Sequence, residues 1–189
     1  MSSHHIIREK QEPALLVVGM DNFSDELFGQ LLEWSPTVIA THAVAEKLNA
    51  YGIKIDWIIT DDEQESIQSD VKVLNLQGAP LIATAINFLV DNQYPAVNVV
   101  TNEFILADYL PFSTAINLVI FCADEKIYPI HSGFSKWKPA NEIIRILNPP
   151  PEIKSTGLQA TGNEYYKTNS DGFFTINFQG ETLFITENL

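Results

Sequence analysis

Three consecutive carboxylates are the residues of this chain whose type and spacing best suit chemistry. Asp61, Asp62 and Glu63 directly follow the apolar segment WIIT at residues 57–60. Beyond the end of a strand, Asp61 and Glu63 at positions i and i+2 would point the same way and share a magnesium ion, which prefers oxygen ligands. The alternative is a hydrated acidic loop without a ligand, and spacing alone favours this loop.

Polar residues also follow two earlier apolar segments. Asp21 and Asn22 come after ALLVVG at residues 14–19, and His42 comes after TVIAT at residues 37–41. Ligands of open parallel sheets bind beyond the carboxyl ends of the strands. These three residues are therefore candidates for a cofactor site at the same edge as the acidic segment.

A histidine with two carboxylates is also a ligand set for other metals. His42 with Asp61 and Glu63 would suit manganese, iron or zinc, although a hydrogen-bonded structural histidine is the more common arrangement. The chain contains no Walker pattern, no GxGxxG, no HExxH and no second cysteine. Residue chemistry alone therefore predicts an acidic site but does not indicate which reaction it would support.

The surrounding elements predict a sheet that would position these residues. Helical spacing of apolar residues in SDELFGQLLEW and in residues 43–51 alternates with short strand-like runs, about six in all. This alternation predicts a doubly wound, mostly parallel, Rossmann-like three-layer α/β sheet in residues 1–124. Short β-rich runs separated by turn signals then predict a small antiparallel β-sandwich in residues 125–189.

Charge and composition narrow the classes of function. The 189 residues are 46% apolar and carry a net charge of −13, without a basic run, which argues against nucleic acid or an anionic membrane surface as a partner. No apolar segment has the length of a membrane span or the form of a signal peptide, so a cytoplasmic location is expected. Cys122, inside NLVIFC, is expected to be a buried apolar residue.

One family shares the order of these segments. Residues 38–64, VIATHAVAEKLNAYGIKIDWIITDDEQ, align without gaps with the signature region of the thiamin pyrophosphokinases, which typically reads ADGGAN, a helix, and then GI-x-PD-x-IIGDFDS. The positions that keep this frame are Gly52, Ile53, Asp56, Ile58, Ile59 and Asp61. The tail also resembles that family's thiamin-binding β-domain, at STGL (155–158), at TNSD (168–171) and at GFFTINFQGETLFI, its closing hairpin.

The resemblance implies a fold and a reaction. The fold would be an α/β domain with a β-sandwich, in a homodimer whose active sites lie at the subunit interface. The reaction would transfer a pyrophosphoryl group from ATP to the hydroxyl of thiamin or a related small molecule. Asp61 and Glu63 would be catalytic and would hold Mg²⁺, and Asp108, within the counterpart of GGR-x-DH, would join His42 in the ATP site.

A thiamin site would need an aromatic wall and polar partners. The candidates for the wall are Trp137, Tyr165 and Tyr166, because thiamin carries a cationic thiazolium and a flat pyrimidine. Asn169, Ser170 and Asp171 are the candidate polar partners. The alternative for Ser170 and Asp171, together with Gly172, is an ordinary turn.

Several family positions are replaced in this chain. His42, Ala43 and Val44 stand where DGG is expected, Glu63 replaces the second aspartate of GDFDS, and Leu81 lies where a helix-opening aspartate is expected. Alanine and valine add bulk where a backbone would approach a phosphate closely.

Three functions therefore stay open at this stage. The first is a divergent thiamin pyrophosphokinase, and the second is a noncatalytic relative that binds a ligand or a partner. The third is another pyrophosphokinase on the same frame, because fold alone does not assign function.

Overall fold

A computed structural model describes residues 12–21, 23–61 and 70–189, and its chain divides into two compact units. Unit 1 extends up to Leu118, and unit 2 comprises Val119–Leu189. The predicted boundary after residue 124 lies a few residues beyond this division. Asn22, Asp62 and Glu63 lie outside the described residues.

Unit 1 alternates strands and helices, as the sequence predicts. Its strands are β1 (Ala14–Val17), β2 (Val38–Thr41), β3 (Trp57–Thr60), β4 (Lys72–Asn75) and β5 (Ala96–Thr101). Its helices are α1 (Asp25–Leu32), α2 (His42–Ala50), α3 (Leu81–Asp91) and α4 (Leu106–Tyr109), which a 3-10 turn follows at Leu110–Phe112. The predicted mixed α/β class is confirmed. In the part of the chain that the structure describes, no helix is long and apolar enough to cross a membrane.

The five strands of unit 1 form a parallel array in the order β5-β1-β2-β3-β4. Strands β2, β3 and β4 are added in turn on one side of β1, and β5 is then added on its other side. The strand order therefore reverses at β1. Every residue of β1 is 0% exposed. Such burial on both faces is typical of the centre of a parallel sheet, and the reversal is where α/β sheets form a crevice.

Two residues of the GI-x-x-D frame have structural roles. Gly52 ends α2 with a φ of +70°, a conformation that glycine adopts without strain, and its N–H donates to the Asn49 carbonyl at 2.9 Å. The Asp56 Oδ2 accepts from the Val38 N–H at 2.9 Å, and the Asp56 carbonyl accepts from the Lys72 N–H at 3.0 Å. Asp56 therefore joins the amino ends of β2 and β4 across the start of β3.

Unit 2 consists of antiparallel strands in two sheets. This confirms the predicted change from alternating strands and helices to antiparallel β structure. The boundary between the units falls within β6 (Asn117–Cys122). The later strands are β7 (Glu125–Ile130), β8 (Phe134–Lys138), β9 (Ile143–Ile146), β10 (Ile153–Thr156), β11 (Leu158–Ala160), β12 (Tyr165–Thr168), β13 (Gly172–Phe178) and β14 (Leu183–Asn188). One sheet has the order β10-β13-β8, and the other runs β11-β12-β9-β14-β7-β6. Phe174 and Ile176 of the small sheet share one buried cluster with Ile144, Ile146 and Ile185 of the larger one.

The predicted closing hairpin of β13 with β14 is wrong. The two strands are consecutive, but they lie in different sheets. The reason is that both edges of β13 are occupied, by β10 and β8, and both edges of β14 are occupied, by β7 and β9. The turn around Gly180, which has a φ of +123°, therefore carries the chain from one sheet to the other.

An internal ion-pair network lies at one end of the core of unit 2. Glu187 on β14 is 4% exposed and pairs with Lys136 and Lys138 of β8, the Lys138 Nζ lying 2.7 Å from Oε2. Burial alone would raise the pKa of Glu187, but the hydrogen bonds and charges of the two lysines outweigh it, so this pKa lies below its ordinary value of 4.5. The ionised carboxylate therefore stabilises the folded state.

We predict that Glu187 makes unit 2 sensitive to acid. Because its pKa is lower in the folded chain than in the unfolded one, its contribution is complete above about pH 4.5 and is lost as the pH falls through the folded value. Glu187→Gln should lower the free energy of unfolding at pH 7 by about 3 kcal/mol and should flatten this part of the pH profile. Denaturant unfolding between pH 3 and pH 7 measures both effects.

The matched control is Glu164→Gln. Glu164 pairs with Arg145 at 3.2 Å, but both side chains are more than one third exposed. Such a pair contributes about 0–1 kcal/mol. Equal losses of stability in the two variants would contradict the role given to Glu187.

Candidate functional site

The carboxyl ends of the parallel strands carry a row of polar residues. Asn102 follows β5, Asp21 follows β1, His42 follows β2 and Asp61 follows β3. Because adjacent strands are about 4.8 Å apart, the sheet order places these residues along one edge in that sequence. Of the predicted cofactor and metal residues, Asp21, His42 and Asp61 thus lie where ligands of α/β sheets bind.

Asp21 and Asn102 form a closed pair across the topological reversal. The Asp21 N–H donates to the Asn102 Oδ1 at 2.9 Å, and the Asn102 Nδ2 donates to the Asp21 Oδ2 at 2.7 Å. Gly19 allows this contact, since a Cβ at that position would lie 2.6 Å from the Asn102 Cγ. The pair fixes the loop after β1 to the end of β5. It uses only one of the two carboxylate oxygens of Asp21.

Helix α2 contributes two residues to the same edge. His42 is its first residue and is half-buried. Lys47 lies further along α2, and its Nζ donates to the Met20 carbonyl at 3.3 Å, in the loop that also holds Asp21. Lys47 therefore places a positive charge at an edge of a protein whose net charge is −13. Val44, where the resemblance expects a glycine, is 7% exposed and packs into the core.

Asp61 is the described part of the predicted magnesium site. It is exposed and directly follows β3. Glu63 lies outside the described residues, as does Asn22 of the cofactor prediction, so the paired ligand set and its variant with His42 stay predictions. Within residues 12–21, 23–61 and 70–189, no three His, Cys, Asp or Glu side chains are placed to hold a metal. A single carboxylate is still compatible with magnesium, which commonly uses one or two carboxylates with phosphate oxygens.

Asp108 occupies the short helix α4. The rings of Phe104 and Tyr109 stack with centroids 5.4 Å apart, and Tyr109 is 1% exposed. Asp108 itself is exposed on this turn. The packing thus anchors the segment by its aromatic residues and leaves the carboxylate available to solvent.

The small sheet of unit 2 presents an aromatic pair to solvent. Trp137 on β8 and Phe173 on β13 are cross-strand partners, and they are 52% and 70% exposed. The neighbouring Phe174 points to the opposite face and is 1% exposed. Trp137 therefore does form part of an aromatic surface, with Phe173 as its second member.

The predicted polar partners lie at the same end of this sheet. The Asp171 Oδ1 accepts from the Ala140 N–H at 2.8 Å, just beyond the end of β8. The Asn169 N–H donates to the Gly157 carbonyl at 3.0 Å, so the segments STGL and TNSD are in contact. Asn169, Ser170 and Asp171 are all exposed. Trp137 and these polar residues thus lie at one end of the small sheet, where Asp171 has a turn-stabilising role, whereas Tyr165 and Tyr166 lie on β12 of the larger sheet.

Sequence reasoning missed Asn102, Lys47 and Phe173. The rule that found Asp21 and His42 applies equally to the end of β5 and would have found Asn102. Strand alternation in GFFTINF places Phe173 opposite to Phe174 and would have found the second aromatic. The position of Lys47 depends on the path of the loop after β1, for which the sequence carries no comparable signal.

Comparison with solved structures places this fold among known ones. No family model and no curated protein matches the chain. The thiamine pyrophosphokinase of Bacillus subtilis is similar with a TM-score of 0.65 and 14% identity, over 94% of this chain and 99% of that one. The thiamin pyrophosphokinase of Geobacillus thermodenitrificans gives 0.70 and 11%, over 93% and 97%. The yeast thiamin pyrophosphokinase gives 0.66 and 11%, over 97% and 88%.

These likenesses define the fold as a two-part α/β and antiparallel β architecture. More specifically, the chain has the fold of the thiamin pyrophosphokinases, and its identity of 8–15% to the compared structures makes it divergent from them.

We predict that Gly19→Ala disrupts the edge of unit 1. The added methyl group would overlap the Asn102 side chain, which must move and break its hydrogen bonds with Asp21. Loss of these bonds should lower the free energy of unfolding by about 1–3 kcal/mol. Chemical denaturation measures the change.

The control is Gly29→Ala. Gly29 lies in the exposed part of α1, and an added Cβ there would meet nothing within 4 Å. Alanine is favoured over glycine in a helix by about 0.5–1 kcal/mol, so this variant should be slightly more stable than the wild type. A Gly19→Ala variant as stable as Gly29→Ala would show that the Asp21–Asn102 pair does not constrain the loop.

Proposed function

We propose that the protein is a thiamin pyrophosphokinase-like transferase that uses ATP and Mg²⁺ to pyrophosphorylate the hydroxyl of thiamin or a close relative, giving the diphosphate and AMP. The fold shared with thiamin pyrophosphokinases over more than nine tenths of the chain carries this proposal. In the proposal, a Rossmann-like three-layer domain holds the nucleotide and a β-sandwich holds the acceptor.

The ATP side of the proposal rests on the edge of unit 1. Magnesium, held by Asp61 with Glu63 and by phosphate oxygens, would screen the charge of the transferred group. Lys47 would attract the polyphosphate to an otherwise acidic protein. His42, Asp21, Asn22 and Asp108 would contact the nucleotide, with Asn102 holding Asp21 in place.

The acceptor side of the proposal rests on the small sheet of unit 2. Trp137 and Phe173 offer an exposed aromatic surface to a flat cation. Asn169, Ser170 and Asp171 supply hydrogen-bonding groups and one negative charge at the end of that surface. A cation would be attracted to this end both by the ring faces and by the carboxylate.

The assembly and location of the protein are part of the same proposal. A homodimer would bring the nucleotide edge of one subunit to the acceptor surface of its partner. The protein would act in the cytoplasm, without nucleic acid or membrane as a partner, in keeping with its net charge of −13.

A second candidate is a noncatalytic relative that binds thiamin without turning it over. One observation favours it: the edge carries His42 and the core-packed Val44 where the resemblance expects DGG. Ala43 and Val44 replace its two glycines, and their side chains add bulk where a phosphate-binding backbone would approach closely. Binding and turnover must therefore be measured separately.

The first experiment measures thiamin binding by titration calorimetry. Trp137→Ala should weaken the affinity about tenfold, because it removes one face of the aromatic surface. Trp34→Ala is the control, since Trp34 is 70% exposed in unit 1 and lies on no proposed site. Equal effects of the two substitutions, or no binding of thiamin by the wild type, would refute the acceptor site.

The second experiment measures AMP release in the presence of thiamin, ATP and Mg²⁺. Asp61→Asn should reduce thiamin-dependent AMP formation by at least about 100-fold, because the metal loses a charged ligand. Asp91→Asn, at the end of α3, is the control and should retain the activity. Thiamin binding without AMP formation by the wild type would select the noncatalytic candidate, and full activity of Asp61→Asn would exclude Asp61 as the metal ligand.

A further inference from the structure

Three lysines of unit 2 surround a single buried carboxylate. Lys126 on β7 is the cross-strand partner of Glu187, and Lys136 and Lys138 approach Glu187 from β8 in the other sheet. Glu142, 38% exposed, lies 3.7 Å from the Lys138 Nζ. Even with Glu142 included, the three ammonium groups exceed the carboxylates in charge. This concentration of positive charge contrasts with the net charge of −13 for the whole chain.

Glu187 forms its ion pairs with groups other than Lys126. Its two oxygens pair with Lys136 and Lys138, and the Lys136 Nζ also contacts the Tyr128 hydroxyl at 3.3 Å. Burial, and then the charge of Glu187, raise the pKa of Tyr128 above its ordinary value, so the hydroxyl stays protonated. The buried carboxylate therefore has little capacity left to neutralise a third lysine.

Lys126 is the lysine of this cluster whose charge Glu187 compensates least, because the carboxylate pairs with the other two lysines. In the described part of the chain, it makes no ion pair with a carboxylate, and its Nζ lies 5.9 Å from the centre of the Tyr128 ring. Burial, and then the charge of Lys136, lower the pKa of Lys126. An ammonium group in this position gains from an anion that approaches it.

A cavity adjoins these charges. It has a volume of about 260 Å³ and is lined by Val119, Lys126, Tyr128, Phe134, Ser135 and Lys136. Two lysines and a tyrosine therefore line a space whose other walls include Val119, Phe134 and the strand at Ser135. Pockets for drug-sized ligands measure roughly 300–1,000 Å³, so this one suits a smaller molecule.

We propose that this cavity binds a small organic phosphate, with its phosphoryl oxygens against Lys126 and Lys136 and its apolar body against Tyr128 and Phe134. A phosphate monoester carries a charge of about −1.5 to −2 at pH 7, which is close to the excess of two ammonium charges over the one buried carboxylate, whereas a carboxylate ligand carries only −1. Its three oxygens can accept from both ammonium groups at once.

The cavity is separate from the proposed thiamin surface. Phe134 and Lys136 of β8 point towards the larger sheet, where the Phe134 ring lies 6.1 Å from that of Tyr128. Trp137, the next residue, points to the opposite face of β8. The two proposals can therefore fail independently.

The test uses phenyl phosphate as the probe, with titration calorimetry on the full chain. The wild type should bind it saturably, and Lys126→Gln should weaken the affinity at least tenfold while Lys126→Arg, which keeps the charge, should stay within threefold of the wild type. Lys154→Gln is the control, because Lys154 is 79% exposed in the same unit. Thermal unfolding shows whether each variant is folded. If Lys126→Gln is not folded, an affinity of Lys126→Arg for phenyl phosphate that falls outside threefold of the wild type would contradict the proposal.

Two comparisons separate the alternatives. Benzoate, which has the same ring and a carboxylate, should bind at least tenfold more weakly than phenyl phosphate, and thiamin binding should be unchanged in Lys126→Gln. No saturable binding of phenyl phosphate, an affinity that Lys126→Gln leaves unchanged, or equal affinity for benzoate would overturn the proposal.

Discussion

The parallel pairing of β1 with both β2 and β5 is the constraint on which the rest of unit 1 depends. A fully buried central strand needs partners on both sides, because its main-chain groups have no access to water. This requirement brings the carboxyl ends of four strands to one edge and sets Asp21 beside Asn102. The position of the candidate nucleotide site is thus a consequence of the pairing of the buried strand β1 with a parallel strand on each side.

Much of unit 1 was predictable because its signals are local. Continuous apolar runs predicted the positions of β1, β2 and β3, including the bounds of β3, and helical spacing predicted α1 and α2. Unit 2 was harder, since β8 was not predicted as a strand. In FSKWK the lysines face the protein interior and Trp137 faces solvent, which inverts the usual pattern of alternation. The partner that pairs with both inward lysines is Glu187, 51 residues from Lys136, so the arrangement carries no local signal.

The candidate site shows the same division between local and distant signals. Asp21, His42 and Asp61 were predicted because each follows a recognisable strand, whereas Lys47 was missed because its partner is a distant loop carbonyl. The retained GI-x-x-D frame proves informative about architecture: Gly52 ends a helix and Asp56 joins strand ends. The resemblance on these residues therefore predicted the fold well, while the chemistry depends on other positions.

The inward lysines of β8 also bear on how the protein avoids self-association. β8 is an edge strand of the three-stranded sheet, and exposed edges offer unpaired main-chain groups to any extended segment of another molecule. A second molecule that added a strand there would have to align with Lys136 and Lys138, whose charges are already committed inside the fold. Inward-pointing charged residues are one of the devices by which natural edge strands discourage such pairing, and we expect the lysines of β8 to have this effect.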